Sequence, residues 1–463
     1  MVDVLLTHGY FLWEDANEAK VMKPYPPLGL LYLSAFLRRA GLEPEVFDTT
    51  FSDRPALLAR LDATPGSVLG IYTNLMTRAN VVWLMGEARA RDWTVVVGGP
   101  ESANYPNEYL RHGAHAVVLG EGEETLAELL GALAAKGPHQ LHDVAGVVFR
   151  DGRGRVVTNP GRPQWRDLDT LPWPDREAID IERYVDVWRT HHGMGSVNLI
   201  TARGCPYKCN WCSHATYGHT HRRRTPADCA AEVAHIVDRF QPDQLWYADD
   251  VFTISHKWLF DYAAELKARQ LHLPFETISR ADRMAKEEVL KTLADMGCYR
   301  IWIGSESGSQ RILDAMQRGV TVEQVQWATK AAKRYGIQVG MFLMWGYEGE
   351  ELSDIEATID HVKEANPDIY FTTVSYPIKG TGYYEKVANK LAVTGDWATT
   401  TDRDLRIEGR HSRTYYDHAD AWLHAEVSAH RLQSTDPAQA AALRQQAATS
   451  RAQLLAVAHE VDS

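Results

Sequence analysis

Cysteine is scarce in this chain, with five thiols in 463 residues. So few cannot staple a protein of this length, which excludes a disulfide framework and makes any clustered thiols candidates for metal or redox chemistry. Long apolar runs are missing too. No stretch approaches the ~18 residues that span a bilayer, and the first residues, MVDVLLTHGY, have neither a basic flank nor a cleavage signal. A soluble, cytoplasmic protein with no membrane partner is expected. Positive charge is in deficit, 49 Lys and Arg against 61 Asp and Glu, for a net charge of −12. Nucleic-acid backbones demand a basic stripe, so no nucleic-acid partner is expected, and no strong internal repeat is visible.

What is present is ample apolar material, 45% of the residues, enough for two or three domains of roughly 100–200 residues each. VDVLLT, PEVFDTT, VLGIYTN, TVVVGGP and HAVVLGEG are short β-branched runs separated by segments with helical spacing. That alternation predicts an α/β fold, a doubly wound parallel sheet over residues 1–135. Residues 136–194 read as a hairpin around Gly152 and Gly154 followed by a Pro-rich linker, LDTLPWPDRE. From 195 to 385 the alternation resumes through SVNLITA, DQLWYADD, FETISR, YRIWIGSE, VGMFLMWG and IYFTTVSYP, a second α/β unit of about six strands. Residues 386–463 read as helical and polar.

Three of the five cysteines, Cys205, Cys209 and Cys212, fall within GCPYKCNWC, on one loop after the strand SVNLITA and before a helix starting near Thr225-Pro226. Sites of α/β proteins are built at such carboxyl ends of strands. A structural zinc would need a fourth ligand, for which His214, His219 or His221 is available. Three thiolates in one short loop also suit three irons of a cubane, leaving the fourth iron for a ligand that is not protein. Cys229 and Cys298 read as buried packing residues.

CPYKCNWC is the C-x₃-C-x₂-C loop of the radical S-adenosylmethionine (radical SAM) superfamily, and residues 195–385 resemble that family's partial (β/α)6 TIM-like barrel. The resemblance implies a 4Fe–4S cluster on the three cysteines, SAM chelated to the open iron, reductive cleavage to a 5′-deoxyadenosyl radical, and an external electron donor or reductase. By the same resemblance Asp249 and Asp250 take the SAM amino group, Ser279 and Arg280 end the third strand as cofactor-binding residues with Arg280 pairing the SAM carboxylate, and Glu306, Ser307 and Gly308 meet the ribose. The segment usually reading G-x-P-G-E here has Tyr347-Glu348, which turns Glu348 and Glu350 into substrate candidates. Arg222, Arg223 and Arg224 match the family's basic helix start.

The first region resembles the Rossmann-like cobalamin-binding domain of a large branch of the superfamily, on PYPPLGLLYLSAFLRRAG and VVVGGPESANYPNEYLRHGAHAVVLGEGEETL. It lacks a D-x-H-x-x-G ligand loop, and the first expectation is a scaffold domain in an enzyme that works without cobalamin. Chain length and Tyr217, five residues past Cys212, resemble a radical SAM diol dehydratase of apramycin (aminoglycoside) biosynthesis. That implies C3′ deoxygenation of a 1,2-diol in a cationic aminosugar such as paromamine, with Tyr217 as catalytic proton or hydrogen donor. The alternative is a cobalamin-dependent radical SAM methyltransferase or cyclase, and a third reading is a regulatory protein that senses redox state or cobalamin.

Overall fold

The computed structural model describes residues 2–392 and 395–462. Residues 1, 393, 394 and 463, which fall in the first and last of the expected regions, lie outside the described residues.

The first sheet contains β1 (Val4–His8), β2 (Pro44–Phe47), β3 (Val68–Tyr72), β4 (Thr94–Gly98), β5 (Ala116–Val118), β6 (Val147–Arg150) and β7 (Val156–Thr158). Their order is β2-β1-β3-β4-β5-β6-β7, the first five parallel and the last two an antiparallel hairpin. Period two explains the near-continuous apolar runs, because both faces are covered. Val95 and Val97 join Leu69, Ile71 and Val117 on one face, under the helices Arg54–Ala63 and Arg78–Arg89. Val96 joins Val4, Leu6, Ala116 and Val118 on the other, under Leu28–Arg39 and Glu123–Lys136. The hairpin expected around Gly152 and Gly154 is there, and it extends this sheet through the β5–β6 pairing.

The second sheet follows with β8 (Ser196–Leu199), a small ribbon of β9 (Ala202–Arg203) and β10 (Arg222–Arg223), then β11 (Gln244–Tyr247), β12 (Phe275–Ser279), β13 (Cys298–Glu306), β14 (Gln338–Trp345) and β15 (Ile369–Val374). Its order is β15-β14-β13-β12-β11-β8. Helices Pro226–Phe240, His256–Ala268, Glu287–Asp295, Val322–Arg334 and Leu352–Ala365 intervene in turn, the repeated βα pattern of a partial barrel. The first of these starts where the sequence places it, with Thr225 as N-cap accepting from the Asp228 amide at 3.3 Å and Pro226 in the first turn. Two long helices, Arg413–Leu432 and Pro437–Ala456, close the chain, burying Tyr415, Leu423, Ala447 and Leu454 with Ile355 and Val362.

The chain divides into two compact units. The first takes the described residues of Met1–Pro206, Ser213–Ala248 and Gly395–Thr401; the second takes those of Tyr207–Cys212, Asp249–Thr394 and Asp402–Ser463. Among the described residues no helix is long and apolar enough to cross a membrane.

Candidate active site

In the second unit the cysteine loop is pinned through one residue. Asn210 donates its backbone N–H to Met316 O (3.1 Å) and its side-chain amide to Ala315 O (3.0 Å). It accepts the Tyr383 amide on its backbone oxygen (2.6 Å) and the Tyr347 hydroxyl on Oδ1 (2.9 Å). Tyr347, which stands where the family has a proline turn, thus serves the cysteine loop from below, stacked on Tyr383 with ring centroids 4.6 Å apart.

Two buried guanidinium groups converge on the loop. Arg280 Nη1 lies 3.8 Å from Cys209 Sγ and Arg318 Nη1 lies 3.7 Å from the same sulfur. Arg280 is fixed by Asp282 (2.9 Å), by Arg318 O (2.8 Å) and by the Tyr207 ring, whose centroid is 3.6 Å away. A hydrogen bond with Cys212 and the two guanidiniums hold the Cys209 thiol well below the ordinary thiol range, while the same hydrogen bond and burial push Cys212 up. The two guanidiniums thus favour a thiolate at Cys209.

Glu306 completes this cradle through an unusual backbone. Its φ is +63°, in the left-handed region where side chains are rare, and the β13–β14 register slips between Gly304 and Glu306. The strain folds the carboxylate back over Gly304, 3.7 Å from Arg318 Nε, and Glu306 is 4% exposed. Burial and the Cys209 thiolate raise its carboxyl to about 7, against the pull of Arg318 and Arg280.

Asp249 and Asp250 follow β11. Asp249 is buried, whereas Asp250 is exposed, and crowding by surrounding protein together with Asp249 raises its carboxyl above the usual range. The remaining expected residues are engaged by the protein. The Ser279 hydroxyl bonds Thr253, and the Ser307 hydroxyl meets Thr358 Oγ1 at 3.2 Å and accepts the Ser309 amide. Glu348 pairs with Lys390 at 2.7 Å, and Glu350 closes its own turn by accepting the Gly346 amide at 2.6 Å. Gly308 does allow close approach, but to helix Leu352–Ala365: a Cβ there would stand 2.4 Å from Ala357 O and 2.5 Å from Thr358 Cα.

In the first unit Arg203, just before the loop, is buried between Glu121 (2.8 Å) and Glu123 (2.6 Å), with Tyr32 and Tyr217 rings 5.0 and 5.7 Å from its guanidinium carbon. Tyr217 stands against Gly204, its backbone oxygen accepting from Gln164 Nε2 at 2.6 Å. Burial, with Glu123 and Glu121 nearby, pushes its phenol up to about 12, so it stays protonated. Arg222 bonds Glu121, Arg223 bonds Thr201, and Arg224 bonds Asp228 and Glu232, so all three arginines of that run have protein partners.

The structure brings together Cys209, Cys212, Arg280 and Glu306, and adds Arg318, which the sequence does not single out because nothing marks one arginine after DAMQ. Among the described residues no three His, Cys, Asp or Glu side chains converge on a single-ion site. A cubane asks for something else, one thiolate per iron, and a cysteine loop beside two buried guanidiniums fits an anionic cluster. The parallel strands β3, β4 and β5 of the first sheet end along one edge, the side on which doubly wound folds bind ligands, and Met76 just past β3 is 57% exposed.

Residues 199–362 match the sequence profile of the radical SAM superfamily, and residues 16–130 match that of the B12 binding domain. An uncharacterized methyltransferase of Pyrococcus horikoshii is 30% identical over 409 residues, 86% of each chain. The anaerobic magnesium-protoporphyrin IX monomethyl ester cyclase of Rubrivivax gelatinosus is 24% identical, over 81% of this chain and 68% of the cyclase. The structure of the radical SAM methyltransferase TsrM from Kitasatospora setae, with cobalamin and a 4Fe–4S cluster bound, shares the fold: TM-score 0.69 at 20% identity, over 87% of this chain and 83% of that one.

Proposed function

The chain belongs to the radical SAM superfamily, in the group that also carries a B12 binding domain, and from that premise we propose that it is a cobalamin-dependent methyltransferase. The observation that carries this reading is the pairing, in one chain, of a cysteine cradle with a B12 binding domain, over nearly the full length of a relative described as a methyltransferase. The expected scaffold-only role for the first domain, and with it the deoxygenation of an aminosugar, gains nothing from these relatives.

Cysteine ligation through Cys205, Cys209 and Cys212 would hold a 4Fe–4S cluster that supplies an electron to SAM, with cobalamin as methyl carrier. The chain's own residues prepare for that. Arg280 and Arg318 offset the negative charge of the thiolates. Asp250 is the exposed carboxylate that would take the SAM ammonium, and Glu306 supplies a buried carboxyl that holds or releases a proton near neutral pH. Tyr217 keeps its phenolic proton over the Arg203 guanidinium.

The test is anaerobic reconstitution with cobalamin and SAM bearing a labelled methyl group, followed by mass spectrometry of the cobalamin extracted from the protein. Label in the cobalamin fraction is expected. Release of 5′-deoxyadenosine with no label transfer, in protein shown to be loaded with cobalamin, would return the reading to a cyclase or dehydratase.

A further inference from the structure

On the face of the second unit's sheet that carries Glu306, three aromatic rings lie nearly parallel. Trp302, Phe342 and Phe371 come from β13, β14 and β15, with centroids 5.1 Å (Trp302–Phe342), 5.6 Å (Trp302–Phe371) and 6.5 Å (Phe342–Phe371) apart and interplanar angles of 15°, 13° and 23°. Offset, near-parallel rings at such spacings attract one another and present a flat apolar wall. The wall is fixed from behind. The Trp302 indole N–H donates to Glu276 Oε2 at 3.0 Å, and its ring lies over Gly340, where a Cβ would come within 2.2 Å of Trp302 Cε3. Gly340 is the residue that lets the indole lie flat on the sheet.

The wall is also open. Trp302 is only 8% exposed, but Phe371, at the far end, is 55% exposed although it sits within a strand. Its strand neighbours Tyr370 and Thr372 point the other way, to His424 and Asp420 on helix Arg413–Leu432. Phe371 is therefore not part of the packing that holds that helix. The register places Phe342 opposite Gly304 on one side and opposite Phe371 on the other. Gly304 is the residue over which the Glu306 carboxylate folds, so the wall begins one strand away from the cysteine cradle.

Resting on the radical SAM reading above, we propose that Trp302, Phe342 and Phe371 form the substrate seat and that the substrate presents a flat, uncharged ring system. The charges beside the wall are paired with each other: Glu276 accepts the indole N–H and lies 3.5 Å from Arg300, whose guanidinium carbon is 5.9 Å from the Trp302 ring centroid, and Phe342 and Phe371 add no charge. Such a surface offers an ammonium group only the attraction of the ring faces and no unpaired carboxylate, whereas an apolar ring stacks on it over its whole area and removes Phe371 from water.

The test uses the neutral fluorescent amine N-phenyl-1-naphthylamine as probe, titrated into the full-length protein reconstituted with its cluster. Saturable binding is expected, weakened ~10-fold in Phe371→Ala and restored in Phe371→Trp, because the exposed ring contributes stacking and little to folding. Paromamine at millimolar concentration is expected not to displace the probe. Equal affinity in Phe371→Ala, displacement by paromamine, or displacement by S-adenosylhomocysteine would each overturn the proposal, the last by giving the wall to adenine. Thermal unfolding of Phe371→Ala guards against a misfolded variant, and Phe342→Leu, which keeps the volume and removes the ring, must weaken the probe as well. Since this titration measures no turnover, its failure alongside methyl label in cobalamin would remove the seat and leave the methyltransferase reading standing.

Discussion

Replacing Gly304 with alanine tests the cradle at the point where the geometry is tightest. A Cβ on Gly304 would lie 2.5 Å from Glu306 Oε1 and 2.7 Å from Arg318 Nη2, where ordinary contact begins at 3.4 Å. The two side chains must give way by about 0.9 and 0.7 Å, and neither is at liberty to do so. Glu306 is held in the left-handed region, and Arg318 Nη2 is bonded to Gly304 O at 2.8 Å while its Nη1 faces Cys209. Overpacking of this kind costs about 1–3 kcal/mol. At about 2–4 °C per kcal/mol for a unit of this size, Gly304→Ala should lower Tm by about 2–12 °C in anaerobic thermal unfolding of the cluster-free protein. Gly86 is the control: it lies within helix Arg78–Arg89 with nothing within 4 Å of its Cβ position, so Gly86→Ala should raise stability by about 0.5–1 kcal/mol. Displacing Arg318 should also raise the Cys209 thiol toward its ordinary range, and iodoacetamide alkylation at pH 6 should slow accordingly. A Tm within 1 °C of wild type together with unchanged alkylation would refute the account of Gly304 as the residue that makes room for the Glu306–Arg318 pair.

Cys205→Ala, Cys209→Ala and Cys212→Ala should each abolish cluster absorbance after reconstitution and 5′-deoxyadenosine release, while Cys298→Ala, buried in packing, should leave both in place. Arg203→Met should cost about 3–5 kcal/mol in denaturant unfolding, because it strands Glu123 in a buried site and leaves Glu121 with Arg222 as its cation partner; a loss under 1 kcal/mol would show the Glu123 carboxylate to be solvated. His361 is buried against Ser305 Oγ at 2.9 Å, and burial lowers its imidazole from 6.5 to about 4. The unfolded chain therefore takes up its proton first as pH falls from about 6.5, and stability drops through that window down to about pH 4, by up to ~3 kcal/mol. His361→Gln should flatten that part of the Tm–pH curve, and an unchanged slope would count against the buried neutral imidazole.

The strands were legible because valine-rich runs such as TVVVG are buried on both faces and so need no alternation. The cysteine loop was legible from spacing alone, and the start of helix Pro226–Phe240 from Thr225-Pro226. What stayed hidden is tertiary. Arg318 reaches Cys209 across 109 residues of sequence, and nothing in its neighbours distinguishes it from a surface arginine. Gly308 reads as an opening for a ligand, yet the atoms that approach it belong to helix Leu352–Ala365, whose Asp354, Thr358 and His361 bond Ser309, Ser307 and Ser305. The serines of GSESGSQ, read in sequence as part of a ribose-contact segment, also bind that helix. The wall at Trp302, Phe342 and Phe371 is invisible for the same reason, since three residues on three strands share a face only once the register is set.

The fourfold tethering of Asn210 bears on how the cysteine loop would take up a cluster a second time. Fixing a backbone residue costs roughly 1–2 kcal/mol of chain entropy, and here that cost is met when the chain folds, at a residue between Cys209 and Cys212. A cluster destroyed by oxidation would therefore leave behind a loop still holding its shape, able to accept iron and sulfide again without a search through conformations. Repair becomes a matter of reductant and supply, and repeated cycles of loss and reloading should return protein of undiminished capacity, where a floppy loop would lose some at every cycle.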